Sequence, residues 1–342
     1  METAAAGNGW LGKVARLQVL VTGASGLIGG NVARGLAAGG HQVAALLRPG
    51  SEVPALHGFA YRRVDGDVRD PASVERAIDG CDAVVHAAAL VCMWQARERD
   101  MSEVNVDGSR HVFEASLRAR IRRVVHISSI DALGLPPEGR PIGDEEASGN
   151  RLMPGPYALS KRRADDVARD FAARGLPVSL IHPGFVFGPW DTKPSSGRMI
   201  LAIARGMPAY PKGGANVFVG VADVVAVVLA ALERGVPGRG YIVAAHNLTY
   251  QEAFTRIARV IGVQPPRLGI PPGLTLALGA VGSIAQSLLG RELDVNLVTA
   301  RNAVMARTVS STRARDELGV IHQGFDGAVA EAVQWFRARG DL

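Results

Sequence analysis

"LQVLVTGASGLIGG", Leu17 to Gly30, decides the fold. An apolar, β-rich run ends at Thr22, glycines follow at Gly23, Gly26 and Gly29, and a helical pattern begins at once. In that spacing Gly23 permits a tight turn, Gly26 lets the backbone approach a pyrophosphate, and Gly29 lets the helix pack closely on the strand. The first N–H groups of the helix then meet the anion. A glycine triplet alone is a weak signal; the strand before it and the helix after it make this one a dinucleotide cradle. Thr22, Gly23, Ser25, Gly26, Leu27 and Ile28 are the residues expected to touch it.

The rest of the first half supports this reading. "HQVAALL", "AYRRVDGD", "DAVVHAAA", "RRVVHISS" and "PVSLIHPG" read as further strands, separated by helical segments such as "PASVERAIDG" and "GSRHVFEASLRAR". Strand–helix alternation with nearly continuous apolar strands predicts an α/β fold, a Rossmann-type doubly wound parallel sheet buried on both faces. "VFVGVADVVAVVLAALERG" reads as a strand entering a helix and "YIVAAHN" as another strand. The expected division is a Rossmann core over residues 14–189, a return to that core over 217–247, and a smaller, mainly helical substrate lobe from 190–216 and 248–342.

Bulk properties exclude other classes. The 342 residues carry 38 Lys and Arg against 32 Asp and Glu, a net charge of +6, and the basic residues are scattered. With only 5% aromatic residues, there is no basic stripe with interleaved rings for nucleic acid. Two cysteines, Cys81 and Cys92, build neither a disulfide framework nor a Cys-rich zinc site, and no metal is expected. The N-terminal "METAAAGNGWLGKVARLQ" lacks the apolar core of a signal peptide, so a cytoplasmic protein, monomeric or homodimeric, is expected. The apolar stretch "GLTLALGAVGSIAQSLLG" (273–290) is shorter than the ~20 apolar residues of a membrane span. It is expected as a buried or substrate-covering helix, with weak peripheral membrane association as the minority reading.

The second strand ends in "LLRPGS", placing Arg48 where an acidic residue would hold the ribose hydroxyls of NAD. A guanidinium suits a 2′-phosphate, so NADP(H) is expected, with NAD(H) as the alternative. Asp67 follows the third strand and either accepts from the adenine amine or caps the helix near Pro71; Asp70 is the better cap. Ala87, Ala88 and Ala89 end the fourth strand with small residues, as a backbone pressed on a cofactor requires. His86 has no partner at metal spacing and reads as a satisfied strand-end histidine.

"YALSK" carries the chemistry. Tyr157 and Lys161 stand four apart on a helical stretch, hence on one face, with Ala164 and Ala168 continuing the buried stripe. Arg162, Arg163, Asp165, Asp166, Arg169 and Asp170 are expected at wetter positions. Bringing a tyrosine from a pKa near 10 to about 7 takes ~4 kcal/mol, which a neighbouring ammonium and a cationic nicotinamide can supply. The phenol then serves as general acid toward a ketone oxygen, or as base in reverse.

With "TGASGLIG", "GDV", "HAAA", "NVDGS", "ISS", "YALSK" and "HPGFVFGP", the chain resembles the extended short-chain dehydrogenase/reductase family over nearly its whole length. It is most similar to the branch of dihydroflavonol reductases and 3β-hydroxysteroid dehydrogenases. The resemblance implies Ser129 as the hydroxyl that polarises a substrate carbonyl, Lys161 on the nicotinamide ribose, and Val68 beside Asp67 in the cofactor site. It also implies Pro183, Gly184 and Val186 beneath the carboxamide, and Asn105 as structural support.

The departures discriminate among members. Sugar-nucleotide dehydratases of this family place an Asp-Glu pair after the catalytic hydroxyl; here stand Ile130 and Asp131, so water loss lacks its acid. Epimerases usually carry Asn before "VYGP"; here Phe185 stands before "VFGP". Phe185, with Met93 and Trp94 after the fourth strand, implies an apolar pocket. His182 replaces the arginine common in "LRPG". Non-catalytic, redox-sensing relatives typically lack the tyrosine, which is present here. The expectation is a ketone or aldehyde reductase, or alcohol dehydrogenase, acting on an apolar small molecule. A sugar-nucleotide epimerase is the runner-up and a non-catalytic sensor stands behind it.

Overall fold

The computed structural model describes residues 16–135, 141–143 and 153–342. The N-terminal stretch and the expected start of the core at residue 14 lie outside the described residues.

Six strands alternate with helices through the first half: β1 Gln18–Thr22, β2 Gln42–Leu47, β3 Tyr61–Asp65, β4 Ala83–His86, β5 Arg123–Ile127 and β6 Val178–Pro183. After them come β7 Phe185–Phe187, β8 Ala209–Pro211, β9 Ala215–Gly220, β10 Gly240–Val243, β11 His246–Thr249 and β12 Leu268–Ile270. Seven strands form one parallel sheet in the order β10-β6-β5-β4-β1-β2-β3. The chain winds outward from β1 to β3, then crosses back to β4 and winds the other way. The crevice therefore opens beyond the carboxyl ends of β1 and β4, where a doubly wound sheet binds its ligand.

Both faces of the sheet are dry. Val19, Val21, Val43, Val85, Val125 and Ile181 point to the side covered by the helices Leu27–Ala38 and Val221–Arg234. Leu20, Val84, Val124 and Leu180 point to the opposite side, under the helices Gly108–Arg118 and Pro156–Ala173. Burial on both sides explains why the strands read as almost unbroken apolar runs.

A second, three-stranded sheet, β11-β9-β7, carries a third apolar cluster around Phe187, Phe218, Phe254, Phe325 and Phe336. Gly184 lets the two sheets meet: a Cβ there would lie 2.6 Å from the Val217 carbonyl oxygen.

Candidate active site

The glycine turn has the geometry of an anion cradle. Gly23 sits at φ +72°, and a Cβ on it would lie 2.5 Å from the backbone of Ala87 and Ala88. A Cβ on Gly29 would lie 2.3 Å from the Gly23 carbonyl oxygen, so the helix presses on the turn. Gly26 caps the helix Leu27–Ala38 without any side-chain hydrogen bond and is exposed, leaving the first-turn amides for an anion. Ser25 is half-buried beside it. These residues fit a dinucleotide pyrophosphate.

Around the adenosine end, Arg48 is exposed just past β2. Arg63 folds over the same turn, donating to the Ser51 carbonyl at 3.0 Å and the Arg48 carbonyl at 3.3 Å, and pairs with Asp65. Asp70 is the helix cap, accepting from the Ala72 amide. Asp67 instead takes three hydrogen bonds from Arg69, at 2.9–3.0 Å, and these hold its carboxyl below the usual range. Val68 is buried against Gly108.

Strand register builds a polar row under the crevice. Thr22 faces His86 across β1 and β4, and His86 faces His126 across β4 and β5. His86 is satisfied on both sides, by Thr22 Oγ1 at 2.7 Å and Ser109 Oγ at 2.9 Å. The Thr22 hydroxyl also accepts from the Ala88 amide, fixing the run Ala87–Ala89 over the sheet. Burial, then the charge of Lys161, pushes His86 down to about 3, and His126, stacked on it, is lowered by burial foremost.

Tyr157 opens the helix Pro156–Ala173 and Ser129 caps the short 3-10 turn after β5; both are half-buried. The structure brings them together: a Ser129–Tyr157 side-chain hydrogen bond favours the phenolate, but burial, then the charge of Asp131, lifts the phenol above its ordinary range. One turn on, Lys161 is buried and donates from Nζ to the Ile127 carbonyl at 2.9 Å. Burial lowers its ammonium to about 8, with Asp165 resisting. Desolvation and Asp131 outweigh the Ser129 hydrogen bond, so the protein without a nicotinamide holds the phenol up.

Asp165 corrects the helix-face reading. It is 1% exposed, on the same face as Lys161, and its Oδ2 lies 2.7 Å from His182 Nε2. Burial works to raise this carboxyl, but the charge and hydrogen bond of His182, with help from His126 and Ser128, hold it down at about 2. His182 thus answers a buried carboxylate on the helix Pro156–Ala173, and Gly240 makes room for its ring.

Asn105 ties this helix to the loop after β4, donating to the Leu90 carbonyl at 3.0 Å and to Ser160 Oγ at 2.9 Å while accepting from the Leu90 amide. It lies in a π-helical turn, Ser102–Asp107. Sequence reading missed Arg307, 5% exposed, which pairs with Asp131 and donates to Asn216 Oδ1 at 2.9 Å. Its only signal in sequence is an arginine inside "AVMARTVSS".

Of the expected substrate residues, Phe185 lies on β7, Met93 and Trp94 lie in the loop after β4, and Ser129 follows β5. Phe185 stacks edge-on with Phe187 and Phe218, and Val186 is buried next to it. Pro183 is buried at the end of β6. Met93 and Trp94 are half-buried in the loop after β4, where the Met93 amide donates to Glu292 at 2.6 Å and Cys92 Sγ lies 3.1 Å from the same carboxylate.

Comparison with known proteins adds four findings. The model of the NAD dependent epimerase/dehydratase family matches residues 19–244. A "Sterol demethylase protein B" of Methylococcus capsulatus is 35% identical over 95% of this chain and 99% of its own. A Synechocystis protein provisionally named dihydroflavonol 4-reductase is 31% identical over 94% of each. The crystal structure of gox2253 superposes with a TM-score of 0.83, at 31% identity over 96% of this chain and all of that one.

Proposed function

This chain belongs to the NAD-dependent epimerase/dehydratase family and is an NAD(P)-dependent oxidoreductase; we propose that it is an NADP(H)-dependent reductase of a ketone or aldehyde on an apolar substrate, or the reverse dehydrogenase. The observation that supports this reading is the hydrogen bond between Ser129 and Tyr157, with Lys161 one turn further along the same helix.

A bound nicotinamide supplies the hydride. Ser129 donates a hydrogen bond to the carbonyl oxygen and fixes its position. Tyr157, protonated because its site is desolvated, releases its proton to that oxygen as negative charge develops. Lys161 holds the cofactor ribose and offsets the charge left on the phenol. Arg48 takes the 2′-phosphate. Phe185, Met93 and Trp94 favour an apolar substrate over a sugar diphosphate, and relatives named for a sterol and a dihydroflavonol favour a rigid ring system carrying the carbonyl.

The test is NADPH oxidation against aromatic, steroidal and long-chain ketones, beside UDP-sugars, with Tyr157→Phe as the control. Loss of ~10²-fold or more in kcat with unchanged NADPH binding supports the reading. A Tyr157→Phe variant as fast as the parent overturns it, and turnover of a UDP-sugar without net change in nicotinamide absorbance moves the assignment to the epimerase.

A further inference from the structure

The helix Pro272–Leu289, expected to be buried or to cover substrate, is not buried. It has 18 residues, no charged side chain and a mean hydropathy of 1.4, yet only 11% of it is buried. Its polarity is inverted. Leu274, Leu278, Val281, Ile284 and Leu288, spaced at 4, 3, 3 and 4 residues, form one stripe that is 45–82% exposed. The face turned inward is small and polar. A Cβ on Gly279 would lie 2.4 Å from Ala300 Cβ, and one on Gly282 would lie 2.0 Å from the Val295 carbonyl oxygen. Ser283 Oγ accepts from the Leu297 amide at 2.8 Å, and Gln286 Oε1 accepts from the Leu293 amide at 3.0 Å. The two glycines lock the rotation: turning the helix would drive leucines into backbone, so the outward stripe is built in.

Charge says what covers it. Lys212 and Arg267 are exposed near the N-terminal end, where the Lys212 amide donates to the Ile270 carbonyl. Arg291 is exposed at the other end, and Arg301, next to the Ala300 that packs on Gly279, is exposed along the flank. Among the described residues none of these four forms an ion pair. The nearby acids are engaged: Glu292 with Cys92 and Met93, and Asp294 with Arg198. A second copy stacked on the stripe in the same direction would set Lys212 and Arg267 against their own counterparts.

We propose that this helix seats its leucine stripe in the surface of an anionic lipid bilayer, lying in the plane of the headgroups with cations at both ends on lipid phosphates. The proposal is independent of the substrate reading.

The test is co-sedimentation of the whole protein with vesicles of phosphatidylcholine alone or mixed with phosphatidylglycerol. Binding is expected to the mixed vesicles, weakening with salt. Val281→Glu/Ile284→Glu should abolish it with an unchanged Tm. Arg291→Gln/Arg301→Gln, which alters only exposed side chains, should weaken it about fivefold per cation. Equal binding to neutral vesicles, no binding at all, or insensitivity to both double variants overturns the proposal. So does a dimer in analytical ultracentrifugation that Val281→Glu/Ile284→Glu splits while vesicle binding is absent.

Discussion

Arg307 and Asp131 stand 176 positions apart in the chain and close as an ion pair beside the Tyr157 phenol, with side chains only 7% and 16% exposed. The pair fastens the segment after β5 to the C-terminal part of the chain. Arg307→Ala leaves Asp131 without its cation and is expected to destabilise by about 3 kcal/mol. Arg307→Leu/Asp131→Leu should recover most of that loss in urea unfolding, because no charge is then stranded. If the double variant is as unstable as the sum of its singles, the two do not act as a pair.

With Lys161 in its proposed role, its ammonium is expected to set an alkaline limit to activity. Burial brings it to about 8, and Asp165 is the charge that holds it up. Activity measured as kcat/KM, which reports the free enzyme, should fall as pH rises through about 8. Asp165→Asn removes the supporting anion and should move that limb to lower pH. A carboxylate that only braced the fold would lower the plateau and leave the limb in place.

Acid stability follows from the buried histidines. His86 titrates near 3 in the fold, below the ordinary 6.5, because burial and Lys161 disfavour its cation. Between those values the unfolded chain binds the extra proton, so stability rises with pH there and is lost as pH falls from about 6.5 toward 3. His86→Gln, which can still bond Thr22 and Ser109, should flatten the dependence of Tm on pH in that window. An unchanged slope would assign the loss to other groups.

The proposed preference for NADP(H) turns on Arg48. Removing one charge-assisted hydrogen bond costs about 1.5–3 kcal/mol. Arg48→Ala should therefore cut the NADPH-to-NADH efficiency ratio by about tenfold to a hundredfold, with the effect falling on the NADPH term. A ratio that does not move refutes the assignment of Arg48 to the 2′-phosphate.

Local pattern made the seven-stranded sheet legible, since strands such as "LQVLV" and "VSLI" are buried on both faces and their periodicity is simple. The glycine turn and the Tyr157–Lys161 spacing were legible for the same reason: each is contained in a few consecutive residues. Pairings across the fold were not. Asp165 looked like a surface acid among charged neighbours until His182, on β6, was brought 2.7 Å from it. Arg307 has no pattern at all in its own neighbourhood. The helix Pro272–Leu289 misled for a different reason: composition records how apolar a segment is, whereas the positions of Gly279 and Gly282 decide which way it faces.

The placing of β10 bears on biosynthesis. β6 is complete at Pro183, but its outer partner arrives only with Gly240–Val243, after β7, β8 and β9 have been made. Until then the emerging polypeptide presents β6 as an open edge of unpaired amides and carbonyls, a template for aggregation. A product truncated between Pro183 and Gly240 is consequently expected to aggregate more readily than the whole chain.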